Sequence, residues 1–370
     1  MPVFPVTWLQ SPKRGPTFNA PESYFTFGNP DTGKSNQNIA IMTNFLSNGH
    51  KGIDAWGSES GAEELGWFFS PYKDKTIMIH GDDVEVDTHF AKMPISKFSL
   101  DALKDYDMAV TTRELYGAGQ EGEYSHYGAL AKVFNLCKTR KGWKSSGGGQ
   151  VIVLMVREAW NVIYSQMRAG LSKDEQAAQM ELKRLDKQRF HTGIAPLLDS
   201  QRYMDIDTSV RQLTNFRIIK GFGGQVIPDE FDFLFKPHLF GNTPWRLRNL
   251  PRDEFIMVTS WNGVATGLVD KVPWNVHKGQ DLVDLLGIIV HPPKVDEEKS
   301  EQQRRAEQPL PKREAPLPEE RAREHHRRTM ELHNQGRNYV QIAEELTKAG
   351  MPITYHTARL HVRGDCTCEK

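Results

Sequence analysis

Eight consecutive residues, Gly28-Asn29-Pro30-Asp31-Thr32-Gly33-Lys34-Ser35, meet the Gly-x-x-x-x-Gly-Lys-Ser/Thr spacing of a nucleotide phosphate loop at every fixed position. The spacing has a chemical reason. Glycines let backbone N–H groups close around phosphate oxygens, the Lys34 ammonium reaches the outer phosphates, and the Ser35 hydroxyl is placed to ligate Mg2+. The octapeptide and the following Asn36 are the candidate ATP contacts, and Ser35 is the candidate metal ligand. A glycine-rich turn before an ordinary helix is the alternative.

Hydrolysis asks for more than the loop: a carboxylate to activate water, presented at a strand end beside the phosphates. The apolar run Val151-Ile152-Val153-Leu154-Met155-Val156 stops at Arg157-Glu158, making Glu158 the base candidate. The run Gly193-Ile194-Ala195-Pro196-Leu197-Leu198 leads into Asp199-Ser200-Gln201-Arg202, and Gln201 is the candidate sensor of the γ-phosphate. A helix-capping carboxylate and a loop amide are the ordinary readings of these two residues.

These groups need a scaffold, and the chain supplies its pattern. Short apolar runs at 24–27, 76–79, 109–111, 151–156, 194–198 and 217–220 read as strands. Several are near-continuously apolar, as strands buried on both faces must be. Helical composition at 35–48, 125–137 and 171–189 falls between them. The expected class is α/β, a RecA-like nucleotide-binding core with a mostly parallel central sheet. The phosphate loop sits where it should, between the strand at 24–27 and a helix whose Ile39, Met42, Phe45 and Leu46 recur at helical spacing. Trp261-Asn262-Gly263 between two apolar runs predicts an antiparallel hairpin at the sheet edge.

With 47 Lys and Arg against 47 Asp and Glu, the 370 residues carry no global basic field, so any argument for nucleic acid must be local. No run approaches the 18 apolar residues of a membrane span, and the N-terminus lacks a signal-peptide pattern, so no membrane association is expected and the expected location is the cytoplasm. Cys137, Cys366 and Cys368 form no disulfide framework. Cys366-x-Cys368 could join His361 in a metal site, but no second pair of ligands stands nearby, and zinc is not expected.

The expected organisation is a nucleotide-binding domain over 1–290, a Pro- and charge-rich linker over 291–318, and a small all-α unit over 319–370. That unit reads as helix, turn, helix, turn, helix. Eight basic residues between 321 and 363 (Arg321, Arg323, Arg327, Arg328, Arg337, Lys348, Arg359, Arg363) face four glutamates. Such a layout suits a helix-turn-helix DNA reader with its last helix in the major groove. Thr354, Tyr355, His356, Thr357, Arg359 and Arg363 are the candidate DNA contacts. A small protein-docking module uses the same packing. Residues 336 to 346, Gly-Arg-Asn-Tyr-Val-Gln-Ile-Ala-Glu-Glu-Leu, resemble the trihelical units of resolvases and recombinases.

The order of motifs also resembles a family. A phosphate loop, a long insertion, a strand ending in an acid, Arg189-Phe190-His191-Thr192-Gly193, and then Ser200-Gln201-Arg202 with Asp205, Asp207 and Arg211 are similar to the HerA/FtsK superfamily of DNA-pumping ATPases. Val156-Arg157-Glu158-Ala159 with Tyr164-Ser165 resembles its viral and plasmid-borne archaeal and DNA-packaging members. The resemblance implies ring-shaped hexamers whose active sites are completed by a neighbour's arginine. Arg211 is the candidate, with Arg168, Arg189 and Arg217 as rivals.

One position departs from the family. Most relatives carry Asp-Glu where this chain has Arg157-Glu158, and an arginine cannot ligate a cation. Either another strand end supplies the acid, Asp54 and Asp82 being candidates, or Mg2+ relies on Ser35 and the phosphates. A slower enzyme, with Arg157 pairing with and restraining Glu158, is a further option. The acidic turns at 52–59 and 79–83 lack the lysine partner of a metal-dependent nuclease and read as strand ends. The leading expectation is a DNA-stimulated ATP hydrolase that translocates or packages DNA. The alternative is an ATP-switched DNA-binding regulator with little translocation. A small-molecule kinase would leave the C-terminal unit unexplained.

Overall fold

A computed structural model describes residues 10–11, 15–16, 20–56, 62–117, 119–141, 149–163, 172–235, 244–260, 263–275, 282–291, 318–349, 351 and 353–363. The chain divides into two compact units, Met1–Lys294 and Val295–Lys370. The expected linker stretch 292–317 lies outside the described residues, as do Tyr164, Ser165, Arg168, the hairpin tip Trp261-Asn262, Cys366 and Cys368.

The first unit is built on a ten-stranded sheet. Its elements in chain order are β1 (Tyr24–Phe27), α1 (Lys34–Ser47), β2 (Lys51–Trp56), β3 (Thr76–His80), β4 (Lys92–Pro94), β5 (Met108–Val110), α2 (Gly119–Thr139), β6 (Ile152–Val156), α3 (Lys173–Thr192), β7 (Ile194–Ser200), α4 (Thr208–Leu213), β8 (Phe216–Ile219), α5 (Pro244–Arg248), β9 (Glu254–Thr259), β10 (Val264–Leu268) and α6 (Leu282–Leu285). The spatial order is β10-β9-β8-β1-β7-β6-β2-β5-β3-β4. From β8 to β4 every neighbouring pair is parallel. The strands β9 and β10 form the antiparallel edge hairpin. The α/β class, the mostly parallel sheet and the hairpin are thus as the sequence pattern predicts.

All residues of β1, β3, β6 and β7 are buried, the consequence of helices and loops covering both faces of a parallel sheet. Tyr24 stacks on Phe216 of the neighbouring strand with ring centroids 5.0 Å apart. The helix α3 carries a capping box between Ser172 and Glu175 and ends at Gly193 with φ 70°, which turns the chain straight into β7.

Two strands of this sheet escaped the sequence pattern. Lys51, Gly52 and Asp54 break the apolar run of β2, yet the strand lies inside the sheet between β6 and β5. The other, β4, is three residues long and lies at the sheet edge.

Register explains which strand ends meet. Phe27 of β1 pairs with Ser200 of β7, and Leu198 of β7 pairs with Val156 of β6. Extending β6 by two residues brings Glu158 level with Ser200, one residue from Gln201. Because β7 lies between β1 and β6, its end must separate the phosphate loop from the base candidate.

The second unit holds α7 (Pro318–Asn334), α8 (Tyr339–Lys348) and α9 (Tyr355–Arg363). Asn338 starts α8 with a capping box to Gln341. Its buried apolar core is Ile342, Leu346 and Ala358, with Leu332, Met351 and Ile353 packed against it. Among the described residues no helix is long and apolar enough to cross a membrane.

Candidate nucleotide site

At the end of β1 the chain bends through Asp31 (φ 63°) and Gly33 (φ 87°) before α1 begins. A side chain on Gly33 would put its Cβ 2.6 Å from the Arg252 carbonyl oxygen, so this position admits only glycine. Helix α1 has no side-chain cap and no acid in its first turn, leaving its N-terminal amides and positive dipole end for an anion. Lys34 Nζ bends back to donate to the Asn29 carbonyl at 3.0 Å. The Thr32 hydroxyl donates to the same carbonyl at 2.8 Å.

A cavity of about 230 Å³ opens beside this turn, lined by Pro30, Asp31, Gly33 to Asn36, Glu63, Glu158, Arg252 and Asn275. Loop cation, hydroxyl and base candidate therefore face one space. Glu158 sits in the left-handed region at φ 46°, ψ 45°, a strained placement for a residue with a side chain. Three partners hold it there. Gln201 Nε2 donates to Oε1 at 3.0 Å, Trp160 Nε1 donates to Oε2 at 2.9 Å, and the Glu158 amide donates to Asp199 Oδ1 at 2.6 Å.

Asp199 and Gln201 leave β7 on the same face, as period-two alternation requires. The other Asp199 oxygen accepts from Asn38 of α1 at 3.1 Å, and Asn38 accepts from Thr26 of β1 at 2.6 Å. Asp199 is thus a buried junction of β1, α1, β6 and β7. Burial, reinforced by the charge of Glu158 and opposed by Lys34, pushes its carboxyl up to about 7. On the other side, Gln225 Nε2 donates to Asn29 Oδ1 at 2.6 Å and to the Gln201 carbonyl at 2.8 Å, bridging phosphate loop and sensor candidate.

The far wall comes from distant sequence. Lys220 is fully buried and donates from Nζ to the carbonyls of Arg252 (2.8 Å) and Glu254 (2.7 Å), pinning the Arg252 turn over Gly33. Burial pushes its ammonium down to about 8. Asn36 does not point at the phosphate turn. Its Nδ2 donates to the Asp270 carbonyl at 2.9 Å, and its Oδ1 accepts from the Val272 amide at 2.7 Å, which ties α1 to the segment that carries Asn275.

Arg157 does not pair with Glu158. Its guanidinium turns into the sheet, donating to Asp54 Oδ2 at 2.6 Å and to Glu63 Oε2 at 3.2 Å. Trp67 Nε1 donates to the same Asp54 oxygen at 2.9 Å. Asp54 is therefore the counter-ion of Arg157 within the sheet and does not line the cavity. Its carboxyl is raised by burial against the pull of Arg157. Asp82 caps the Ser96 amide at 2.9 Å and does not line the cavity either. The acid that does reach the cavity from outside the motifs is Glu63.

Arg211 is placed differently from its expected role as a group offered to a neighbour. It is buried, with Nε donating to the Ile206 carbonyl (3.1 Å), Nη2 to Thr208 (3.0 Å) and Nη1 facing Glu230 (3.4 Å), and its guanidinium lies over the Tyr203 ring. In this structure the guanidinium is thus engaged by its own helix and turn. The rival Arg189 is likewise buried against Asp186, Leu213 and Asn215, and Arg217 pairs with Glu230.

In the second unit Thr354 caps α9 by accepting from the Thr357 amide at 3.1 Å, and the Thr354 and Thr357 hydroxyls lie 2.9 Å apart. Tyr355, His356, Arg359 and Arg363 follow on α9; the side chains of Tyr355, His356 and Arg363 lie outside what is described. Arg327 and Arg328 pair with Glu324 and Glu331, and Arg337 pairs with Glu345 at 3.1 Å, all on exposed surface.

The site residues missed in the sequence are Asp199, Glu63, Lys220, Gln225, Arg252 and Asn275. Only Asp199 had a signal, a carboxylate two residues before Gln201 at the end of an apolar run.

No protein-family model matches the chain, and no curated protein matches it. Solved structures do. The genome-packaging NTPase B204 of Sulfolobus turreted icosahedral virus 2, in complex with ATP-gammaS, is similar at 12% identity and TM-score 0.37, over 68% of this chain and 98% of that one. The cytoplasmic domain of the Thermomonospora curvata type VII secretion ATPase EccC is similar at 14% identity and TM-score 0.35, over 70% of this chain and 24% of that one.

Proposed function

We propose that the chain is an ATP-hydrolysing motor that moves or packages DNA and works as a homo-oligomer, a hexameric ring being the expected assembly. The observation that carries the reading is the single cavity in which Lys34 and Ser35 face Glu158, with Gln201 of the intervening strand hydrogen-bonded to that carboxylate. Nucleotide binding alone would need only the loop. A carboxylate across the same space, coupled to a polar group beside the phosphates, is what water activation requires.

Lys34 and the α1 N-terminus bind the phosphates in this reading. Ser35 would hold Mg2+, with Glu63 and Glu158 lining the same cavity, an oxygen donor set that suits this hard cation. The ion would supply charge neutralisation at the phosphates. The α7–α9 unit binds DNA through Thr354, Tyr355, His356, Thr357, Arg359 and Arg363.

The test is steady-state ATP hydrolysis with and without duplex DNA. DNA raises the rate of the unmodified chain, and Lys34→Ala abolishes it. Absence of ATPase activity in the unmodified chain under every DNA condition overturns the proposal.

A second reading has one observation in its favour. Both carboxylate oxygens of Glu158 are engaged, by Gln201 and by Trp160, which restrains the base. An ATP-switched DNA-binding regulator with slow turnover would use such a restraint. A triplex-displacement assay separates the two, since a motor strips the third strand and a switch leaves it in place.

A further inference from the structure

The edge hairpin of β9 and β10 carries neither Glu158 nor Gln201, yet its base stands at the phosphate loop. Arg252 and Asp253 lead into β9, Val269 leaves β10, and the Val269 amide donates to the Asp253 carbonyl at 2.8 Å, closing the hairpin there. Side chains from two other elements hold this base. Buried Lys220, at the end of β8, bonds the carbonyls of Arg252 and Glu254, and Asn36 of α1 bonds the Asp270 carbonyl and the Val272 amide. Keeping an ammonium out of water is costly. Here it fixes a turn whose residues 251 to 253 are themselves exposed.

A second cavity, of about 200 Å³, opens at the hairpin base. It shares Gly33, Asn36, Arg252 and Asn275 with the cavity that holds Lys34 and Ser35, and adds Asp253, Val269 and Lys271. The two spaces therefore adjoin. Cavities that take a drug-sized ligand begin at about 300 Å³, so neither space alone would hold a nucleoside triphosphate.

Their chemistry differs. The first offers the ammonium, hydroxyl and helix N-terminus that suit phosphates. The second offers Val269, which is 1% exposed, and the planar guanidinium of Arg252, groups suited to the faces of an aromatic ring. The Asp253 carboxylate accepts hydrogen bonds and the Asn275 amide both donates and accepts, as the edge of such a ring requires. Arg252 stands where the two spaces meet. Its side chain starts over the loop, since a Cβ on Gly33 would lie 3.2 Å from the Arg252 Cγ.

We propose, on the nucleotide reading of the phosphate loop, that the second cavity is the nucleobase subsite, with Arg252 stacked on the base and Asp253 and Asn275 at its polar edge. Lys220 holds the Arg252 turn in place for this, and Asn36 holds the segment that carries Asn275. The turning of Asn36 away from the phosphates then has a cause. So does the burial of Lys220 beneath an exposed turn.

The test is calorimetric binding to the full chain, in the presence of Mg2+, of a non-hydrolysable ATP analogue and of inorganic tripolyphosphate, which has no base. The unmodified chain binds the analogue more tightly than tripolyphosphate. Arg252→Ala weakens the analogue by about tenfold, the scale of a guanidinium–aromatic contact, and leaves tripolyphosphate unchanged, which also shows that the variant is folded. Arg252→Lys keeps the charge without the plane and does not restore the analogue. Equal loss of both probes in Arg252→Ala overturns the proposal, as does full affinity for the analogue in Arg252→Ala or in Arg252→Lys. An unmodified chain that binds both probes equally overturns this subsite alone, whereas one that binds neither overturns the nucleotide reading with it.

Discussion

The Gln201 side-chain amide donates to Glu158 Oε1 at 3.0 Å, so the base candidate and the candidate γ-phosphate sensor share one hydrogen bond. In the proposed reading, a Gln201 drawn toward a phosphate would free one Glu158 oxygen, coupling sensing to base activation.

This relationship makes separate predictions for the two residues. Glu158→Gln keeps ATP binding but lowers kcat by roughly 10²–10⁴-fold, the usual worth of a positioned general base. Gln201→Ala leaves Glu158 in place on its Trp160 contact and lowers kcat by a smaller factor, on the order of tenfold. Single-turnover hydrolysis and nucleotide titration read the two effects apart. Equal loss of binding and turnover in Glu158→Gln would show that the carboxylate only shapes the pocket.

A second prediction concerns stability. Arg157 is 2% exposed and holds two carboxylates, Asp54 and Glu63, inside the protein. Removing one partner of a buried ion pair leaves the other charge uncompensated and costs about 3–5 kcal/mol. Arg157→Met should lose stability on that scale in urea unfolding, and adding Asp54→Asn should recover a large part of it. If Arg157→Met unfolds at the same urea concentration as the unmodified chain, Arg157 does not compensate these acids.

Much of this site could be seen in the sequence, and the reason is strand geometry. The phosphate loop, Glu158 and Gln201 each follow an apolar run, so each could be placed at a strand end from the run alone. Asp54 was misplaced because a carboxylate inside a strand reads as a turn until its arginine is known, and Arg157 comes from a strand about 100 residues later. Glu63, Lys220, Arg252 and Asn275 carry no local pattern, since the sheet order alone brings them to the loop. Arg211 was given its role by the family resemblance; its burial follows from Tyr203, Thr208 and Glu230, which no spacing rule connects.

The third prediction follows from Asp199. Its folded carboxyl titrates near 7 against an ordinary value of 3.8. Between those values the unfolded chain loses this proton while the folded one keeps it, so stability falls as pH rises from about 4 to 7 and levels off above. Asp199→Asn removes that part of the slope. Asp186 and Glu64, also raised by burial, add slope of the same sign, while His126, pushed down to about 3 by burial, adds slope of the opposite sign, so the difference between the two proteins is what isolates Asp199. Urea midpoints of both proteins across pH 4.5–7.5 are the measurement, and parallel curves would mean that Asp199 ionises normally in the native state.

The bonds from Asn36 to Asp270 and Val272 cross 234 and 236 residues of chain, and the pocket wall adds Arg252 and Asn275 to a loop that begins at Gly28. Bringing such distant segments together incurs closure entropy before contacts repay it, which is why contacts of this range go with slower folding. During synthesis the candidate phosphate loop emerges early from the ribosome and waits, unwalled, until residue 275 follows. A nascent chain therefore carries the signature of a nucleotide site long before it has one.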